Sequence, residues 1–169
     1  MSFTFTHMNE EDAETIQAWK YEAPYTVYMM GGQNAEEKAA GKAELLDRRS
    51  PYYAVRNEQR ELVGFFNFGT SSLVWGGEQP EIYVDGKTVP VGLGMRPDLT
   101  GKGLGQAFIE AGLAFAKRQF APAQFLLFVY PWNKRAICVY ERARFRQVRV
   151  FTQKNRYGER EFLEMRKAG

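Results

Sequence analysis

Three glycines at alternate positions lie between an apolar strand pattern and a helical pattern. The strand pattern covers Thr88–Met95, and the helical pattern runs from Gly103 to about Arg118. Glycine lets the backbone approach an anion without a Cβ in the way, and the first N–H groups of a helix have no partner within it. The sequence therefore predicts a strand, a phosphate-binding loop and a helix in this order. The three glycines are Gly101, Gly103 and Gly105.

Spacing excludes two common phosphate loops. A Walker loop needs a glycine five positions before its Gly-Lys pair and Ser or Thr after it, but Arg96 and Gly103 occupy these positions. The dinucleotide fingerprint Gly-x-Gly-x-x-Gly fails in both frames, because its third glycine falls on Gln106 or on Phe108. A flexible turn that only caps the helix is the other interpretation of this stretch.

The composition is typical of an ordinary globular protein. The chain has 169 residues, of which 44% are hydrophobic and 25% charged, so it is long enough to bury a core without a metal or a disulfide. A single cysteine excludes an internal disulfide framework and a multi-cysteine metal cluster. No apolar run approaches the roughly 20 residues of a membrane span. We expect a reduced, cytoplasmic protein without membrane association.

The net charge of +3 conceals two halves of opposite sign. Residues 1–90 hold 8 Lys and Arg against 14 Asp and Glu, whereas residues 91–169 hold 15 against 6. Such a chain can present a site for a polyanion beside a site for a cation. The alternative is that solvated helix faces simply differ in composition.

The remaining patterns alternate between strands and helices, with no repeat and no visible domain boundary. Each predicted helix begins at a capping residue or a glycine, the first at Asn9, and Asp85-Gly86 suits a hairpin turn. The predicted strands are 3–6, 52–56, 61–68, 88–95, 124–130, 145–151 and 161–165. The predicted helices follow Asn9 (ending before Pro24), span 35–46 after Asn34, span 103–118, and span 133–142 with Asn133 as the cap.

Asn133 and Tyr140 form a second candidate site. Seven positions apart on a helix, they lie within about 20° of each other and about 10 Å apart along the axis. An amide at one end and a phenol at the other, with Ala136 and Ile137 between them, suit an elongated ligand. The other interpretation makes Tyr140 a core tyrosine whose hydroxyl is bonded locally.

These two segments resemble the signatures of the GNAT superfamily of acyl-CoA-dependent N-acetyltransferases. Residues 100–105 are similar to its Gln/Arg-x-x-Gly-x-Gly/Ala motif, with Thr100 where the family has Gln or Arg. Residues 133–145 are similar to its Asn-x-x-Ala-x-x-x-Tyr-Glu-x-x-Gly-Phe motif, with Arg144 in place of the glycine. A non-glycine residue there leads us to expect a different helix exit. Parts of 130–145 also resemble ribosomal-protein alanine acetyltransferase-like members.

The resemblance implies a fold and a cosubstrate. The expected fold is α+β: a GNAT-type three-layer arrangement with a mixed central sheet of about six to seven strands, splayed between the fourth and fifth and flanked by about four helices. Residues 1–169 would form a single acyltransferase domain that binds acetyl-CoA and needs no metal. The implied cofactor-binding residues are Leu93, Gly94, Met95, Thr100, Gly101, Lys102, Gly103, Leu104, Gly105, Asn133, Ala136 and Tyr140.

The resemblance also implies roles for these residues. The backbone of Leu93–Met95 would hold the pantetheine and polarise the thioester carbonyl, while the glycine loop would cradle the pyrophosphate beside Arg96 and Lys102. Asn133 would contact the pantetheine arm. Tyr140 would be the general acid that protonates the departing thiolate as the acetyl group passes directly to an amine.

The general base is not fixed by the sequence. Glu22, Glu81 and Asp85 are candidates, and we favour Glu22 as an amine-attracting group because several aromatic residues surround it in sequence. Those aromatics instead pack the first helix onto the sheet in the alternative interpretation. They are Trp19, Tyr21, Tyr25 and Tyr28. We expect His7 to be structural and Cys138 to be a small packing residue on the helix face opposite Tyr140.

Three functions therefore compete. The first is an N-acetyltransferase acting on a primary amine of a small molecule or peptide, as a monomer or homodimer. The second is a non-catalytic acyl-CoA sensor, for which the departures at Thr100 and Arg144 leave room. The third, a nucleic-acid binder, is disfavoured because the basic residues are spread over loops, helix ends and the last strands.

Overall fold

The computed structural model describes residues 1–73, 86–155 and 158–169. The chain divides into two compact units, residues 1–67 with 93–104 and residues 68–92 with 105–169. The strands are β1 (Thr4–His7), β2 (Tyr52–Arg56), β3 (Leu62–Asn67), β4 (Thr88–Pro90), β5 (Gly92–Met95), β6 (Gln124–Val129), β7 (Arg146–Asn155) and β8 (Gly158–Ala168). The helices are α1 (Glu10–Gln17), α2 (Ala35–Leu45), α3 (Gly105–Phe120) and α4 (Lys134–Arg142). The α+β class is confirmed.

The first unit is a four-stranded sheet with two helices. Its strand order is β1-β2-β3-β5, with antiparallel pairs β1–β2 and β2–β3, and β5 is the last strand. Ile16 of α1 and Leu45 of α2 are 1% exposed and pack with Phe65 of β3. Burying apolar side chains of this size contributes about 1.5–3 kcal/mol each, so this core holds both helices on the sheet.

The helix starts of the first unit follow the predicted caps. The Asn9 side chain accepts a hydrogen bond from the Asp12 N–H at 2.8 Å, and Asn34 accepts one from the Glu37 N–H at 2.8 Å. Each cap satisfies a donor that the first turn leaves without a helical partner. α1 ends at Gln17, earlier than Pro24, and the Gln17 side chain bonds to residues much further along the chain. The Gln17 amide donates to the carbonyls of Met30 and Lys38.

The second unit is built on a sheet ordered β4-β6-β8-β7. β4 runs parallel to β6, while β8 is antiparallel to both β6 and β7. The apolar run predicted as a buried strand is β6, in which Phe125, Leu126 and Leu127 are at most 1% exposed. On β8, the buried Glu164 carboxylate accepts hydrogen bonds from Arg149 at 2.8 Å and Arg166 at 2.6 Å, so its buried charge is paired.

The predicted strand 88–95 is two strands that join different sheets. β4 pairs with β6, whereas β5 belongs to the sheet of β3. β4 ends at Pro90, and the next residue, Val91, donates its N–H to the Leu126 carbonyl of β6 at 2.8 Å. The expected mixed sheet of about six to seven strands, splayed between the fourth and fifth, corresponds in the described residues to two four-stranded sheets. The chain passes from one sheet to the other between β4 and β5, within the predicted fourth strand.

The two glycines of this segment are required by packing. A Cβ on Gly92 would meet the Ser72 hydroxyl at 2.6 Å, and a Cβ on Gly94 would overlap the Phe65 ring. Other residues of the protein thus occupy the position that a Cβ would take on either glycine.

No described helix is long and apolar enough to cross a membrane.

Replacing Gly94 with alanine is expected to destabilise the protein by about 1–3 kcal/mol, because the methyl group overpacks the Phe65 ring. The matched control is Gly86→Ala, where an added Cβ has no described atom within 4 Å. Chemical denaturation of both variants measures the difference. Equal stabilities for the two variants would contradict a tight contact between Phe65 and Gly94.

Candidate functional site

In the first unit, the end of β5 is held by bonds on both sides of one peptide group. The Arg96 N–H donates to the Val63 carbonyl of β3 at 2.8 Å. The Met95 carbonyl, on the opposite edge of the same peptide, accepts a hydrogen bond from the Tyr21 hydroxyl at 2.6 Å. Burial raises the pKa of Tyr21 to about 12, so its hydroxyl keeps the proton that it donates.

The loop after β5 is organised by its own side chains. Arg96 donates to the Asp98 carboxylate at 2.7 and 3.2 Å and to the Leu62 carbonyl at 3.2 Å. These bonds to Arg96 lower the pKa of Asp98 and, in return, raise the pKa of Arg96. The Thr100 hydroxyl donates to the Pro97 carbonyl at 2.8 Å and closes the short 3-10 turn Pro97–Leu99. Of the two charges expected near the loop, that of Arg96 is thus paired, while Lys102 is exposed.

Two glycines of the loop need their conformational freedom. Gly101 and Gly103 have φ of +73° and +78°, in the left-handed region that side chains disfavour. A Cβ at Gly103 would have no described atom within 4 Å, so here the space beside the backbone is open. Positive φ at neighbouring positions is a feature that this loop shares with anion-binding turns.

The aromatic residues near Glu22 divide into two groups. Trp19 is 8% exposed and lies in the core, with its ring 6.4 Å from that of Phe65, as the packing interpretation predicts. Tyr25 and Tyr28 stack on each other at 6.5 Å in a short 3-10 turn. Glu22 itself is exposed at the start of this segment. Glu81 and Asp85, the other candidate bases, lie outside the described residues.

In the second unit, α3 begins at the third glycine. A Cβ on Gly105 would meet Val139 of α4 at 3.0 Å, so this glycine allows the two helices to pack closely. α3 starts two residues later than the sequence pattern suggests, because Gly103 takes a left-handed conformation that a helix cannot continue. The N–H groups of its first turn are the donors that the glycine loop leads into.

α4 carries the second predicted pair. Asn133 is 6% exposed and caps the helix, its side-chain oxygen accepting from the Ala136 N–H at 3.2 Å. Tyr140 is half-buried, with its ring edge-on to Phe145 at a centroid distance of 6.2 Å. The cap fixes the Asn133 amide at the N-terminal end of α4 and places Tyr140 two turns further along the helix.

The helix exit at Arg144 takes the left-handed conformation that glycine commonly adopts at a helix end, so the expectation that a non-glycine residue changes the exit is wrong. Arg144 has a φ of +73°. The Phe145 N–H donates to the Tyr140 carbonyl at 3.0 Å and the Arg144 N–H donates to the Glu141 carbonyl at 2.9 Å, which together form a Schellman motif. Because both helix-end carbonyls and the Tyr140–Phe145 contact depend on this turn, the chain keeps it although the residue is not glycine.

Two further expectations concern residues outside these sites. Cys138 is exposed, so the expectation of apolar packing is wrong: α4 is short and turns this face to solvent. His7 lies on β1, where its ring is 4.9 Å from that of Tyr53. Among the residues that the structure describes, no cluster of three or more His, Cys, Asp or Glu side chains could hold a metal ion.

Sequence reasoning missed the bond between Tyr21 and the Met95 carbonyl. The two residues are 74 positions apart, and neither the spacing nor a motif pairs them. The one sequence signal is that Tyr21, two positions after Trp19, is an aromatic residue off the apolar spacing of Ala13, Ile16 and Trp19.

The proteins that this chain is found to resemble are acetyltransferases. A family model described as an acetyltransferase (GNAT) domain matches residues 2–146. A mycothiol acetyltransferase from Propionibacterium freudenreichii subsp. shermanii is 28% identical over 139 residues, which are 82% of this chain and 41% of that protein. The chain therefore spans less than half the length of this curated relative.

Solved acetyltransferase structures share the fold. AAC(6')-Ib in complex with paromomycin and acetyl-CoA has a TM-score of 0.76 at 20% identity, covering 99% of this chain and 94% of that one. A spermidine N-acetyltransferase SpeG chimera from Vibrio cholerae has a TM-score of 0.72 at 14% identity, covering 99% and 96%. A GNAT-family acetyltransferase from Bacillus anthracis has a TM-score of 0.71 at 15% identity, covering 99% and 95%.

Replacing Arg144 with glycine is expected to stabilise the protein by about 0.5–1 kcal/mol. The change removes the cost of a side chain in the left-handed region, which exceeds the loss of one cation near the helix C-terminus. The matched control is Arg142→Gly inside α4, which should destabilise by about 1 kcal/mol. Urea denaturation measures both variants, and destabilisation by Arg144→Gly would show that the positive φ carries no cost.

Proposed function

We propose that this chain, which belongs to the GNAT acetyltransferase family, transfers an acetyl group from acetyl-CoA directly to a primary amine of a small molecule or peptide. The observation that carries the proposal is the glycine loop, in which Gly101 and Gly103 adopt positive φ with open space beside Gly103. Such a loop leading into a helix N-terminus suits a pyrophosphate. Structural neighbours that contain coenzyme A or acetyl-CoA support this choice of cosubstrate.

In the first unit, the proposed contacts to acetyl-CoA come from backbone groups. Leu93, Gly94 and Met95 lie on β5, the last strand of its sheet, where a strand presents N–H and carbonyl groups along its outer edge. A pantetheine arm carries amide groups that can bond to such an edge, and an N–H there can polarise the thioester carbonyl. The N–H groups of residues 101–104 bind the pyrophosphate in the same proposal.

In the second unit, side chains of α4 have the proposed roles. The Asn133 amide, fixed by its capping bond, contacts the pantetheine arm, and Ala136 keeps the helix surface beside it small. As the C–N bond forms and the C–S bond breaks, the Tyr140 hydroxyl donates a proton to the departing thiolate, and the resulting thiol is too weak a nucleophile to attack the new amide. Because the capping bond and the Schellman turn hold both ends of α4, the helix presents these groups in a fixed register.

The two parts of the sequence differ in charge in the direction that the reaction needs. Residues 1–90 hold 14 Asp and Glu against 8 Lys and Arg, whereas residues 91–169, which contain the glycine loop and α4, hold 15 Lys and Arg against 6 Asp and Glu. Acetyl-CoA is a polyanion and an amine acceptor is a cation before deprotonation, so fields of both signs aid arrival. In this proposal the exposed Glu22 attracts the amine, and Glu81 is a second candidate for the base.

The acceptor is proposed only as a primary amine. The solved neighbours include acetyltransferases named for spermidine and for aminoglycosides, and the curated relative is named for mycothiol. Consumption of acetyl-CoA should therefore be screened with polyamines, aminoglycosides, amino acids and peptides with free N-termini. Turnover with one class supports the enzyme, whereas binding of acetyl-CoA without turnover in any class supports the sensor.

Replacing Tyr140 with phenylalanine is expected to lower kcat about a hundredfold while the Kd for CoA changes less than twofold, because only the proton donor is lost. Steady-state kinetics with the best amine and calorimetry with CoA measure the two effects. Tyr53→Phe, on β2 in the first unit, is the matched control and should leave kcat unchanged. Equal kcat in Tyr140→Phe and the native protein would remove the general-acid role.

A further inference from the structure

The peptide group that joins Met95 to Arg96 is bonded on both of its edges. Its N–H donates to Val63 of β3, and its carbonyl accepts from the Tyr21 hydroxyl. A peptide group held on one edge can still tilt about the chain direction, whereas one held on both edges cannot. The orientation of this group decides the direction in which the chain leaves β5 and enters the glycine loop.

The carbonyl that Tyr21 holds lies on the outer edge of β5. The Arg96 N–H points toward β3, and the carbonyl of the same peptide points the opposite way. Because successive residues of a strand alternate in the direction of their backbone groups, the N–H and carbonyl of Met95 and those of Leu93 share this outer edge. Tyr21 therefore bonds to the same edge that is proposed to receive the pantetheine.

Tyr21 is itself held rigidly enough for this task. It packs against the core cluster that contains Trp19 and Phe65, and its raised pKa keeps the hydroxyl protonated at every physiological pH. Phe65 also fills the space beside Gly94, so the ring that supports Tyr21 lies against the strand that Tyr21 bonds. Two side chains from different parts of the first unit thus fix the position of one strand.

We infer that Tyr21 is a positioning residue for acetyl-CoA: its hydrogen bond to the Met95 carbonyl sets the orientation of the outer edge of β5 and of the loop that follows it. This inference rests on the proposed function. Tyr21 acts through Met95 and has no part in proton transfer. Since Glu22 is the next residue, the same bond also ties the segment proposed to attract the amine to the strand proposed to hold the thioester.

The first test examines the bond without any cosubstrate. Tyr21→Phe removes only the hydroxyl, so the Met95 peptide loses its outer bond and the Arg96 N–H should exchange with solvent about three- to tenfold faster, as expected for one lost hydrogen bond. Amide hydrogen exchange by NMR, normalised to Ala54 in the middle of β2, separates this local effect from global destabilisation. Unchanged exchange at Arg96 would overturn the inference.

The matched control is Tyr52→Phe. The Tyr52 hydroxyl donates to the Glu44 carboxylate at 2.8 Å, and Tyr52 belongs to the same core cluster as Phe65. This variant loses one hydroxyl and one hydrogen bond in the same unit without touching β5. It should reproduce any general loss of stability but leave the exchange at Arg96 unchanged.

The second test measures the consequence for the cosubstrate. In Tyr21→Phe the Kd for CoA and the KM for acetyl-CoA should rise about three- to tenfold. Without the hydrogen bond the strand is less ordered, so ligand binding must supply about the free energy of one hydrogen bond to order it. The value of kcat at saturation should stay within twofold, whereas Tyr140→Phe shows the opposite pattern. A Kd for CoA that is equal in Tyr21→Phe, Tyr52→Phe and the native protein would overturn the inference.

The two proposals fail in different ways. If the native protein binds CoA but acetylates no amine, the enzyme proposal fails, and a raised Kd in Tyr21→Phe still supports the positioning role. If the native protein acetylates an amine and Tyr21→Phe matches it in Kd and KM, only the positioning role fails. If the native protein does not bind CoA, both fail, whatever the exchange rate at Arg96.

Discussion

The contact between the Phe65 ring and Gly94 is the constraint on which the first unit depends. The ring occupies the volume that any side chain at position 94 would need, and it lies 5.8 Å from the ring of Tyr52 and 6.4 Å from that of Trp19. One aromatic residue of β3 therefore joins the core beneath α1 to the last strand of the sheet. Since the position of β5 fixes the start of the glycine loop, core packing and the proposed binding edge are not independent.

Local signals made much of the structure predictable. The caps Asn9, Asn34 and Asn133 are correct because a capping residue and the helix it starts are neighbours in sequence. The prediction of β6 as a buried strand is correct because a short, dense apolar run in a chain of this size is typical of a strand at the centre of a sheet. The position of the glycine loop between β5 and α3 is also correct, with positive φ at Gly101 and Gly103, whereas its binding of a phosphate stays a prediction.

The failures have a common origin in contacts that the sequence does not encode locally. The split of residues 88–95 depends on which sheet each half joins, and the pattern of apolar residues is the same for either choice. Cys138 is exposed because the partner of that helix face is solvent, which helical spacing alone does not reveal. Arg144 takes the conformation of a glycine because two helix-end hydrogen bonds outweigh the local preference of its own backbone.

Thr100 departs from the family motif and has a structural role within the loop. A long Gln or Arg side chain at this position would contact the ligand, whereas the Thr100 hydroxyl donates to the Pro97 carbonyl and closes the turn before the glycines. Backbone N–H groups bind an anion well only if they already point toward it, because ordering a loop on binding costs free energy. The threonine thus replaces one contact to the ligand with a bond that holds the loop in place, and Tyr21 and Arg96 hold the residues just before it in the same way. If the loop binds an anion as proposed, we expect its affinity to depend on keeping the backbone in position more than on side chains that reach the ligand.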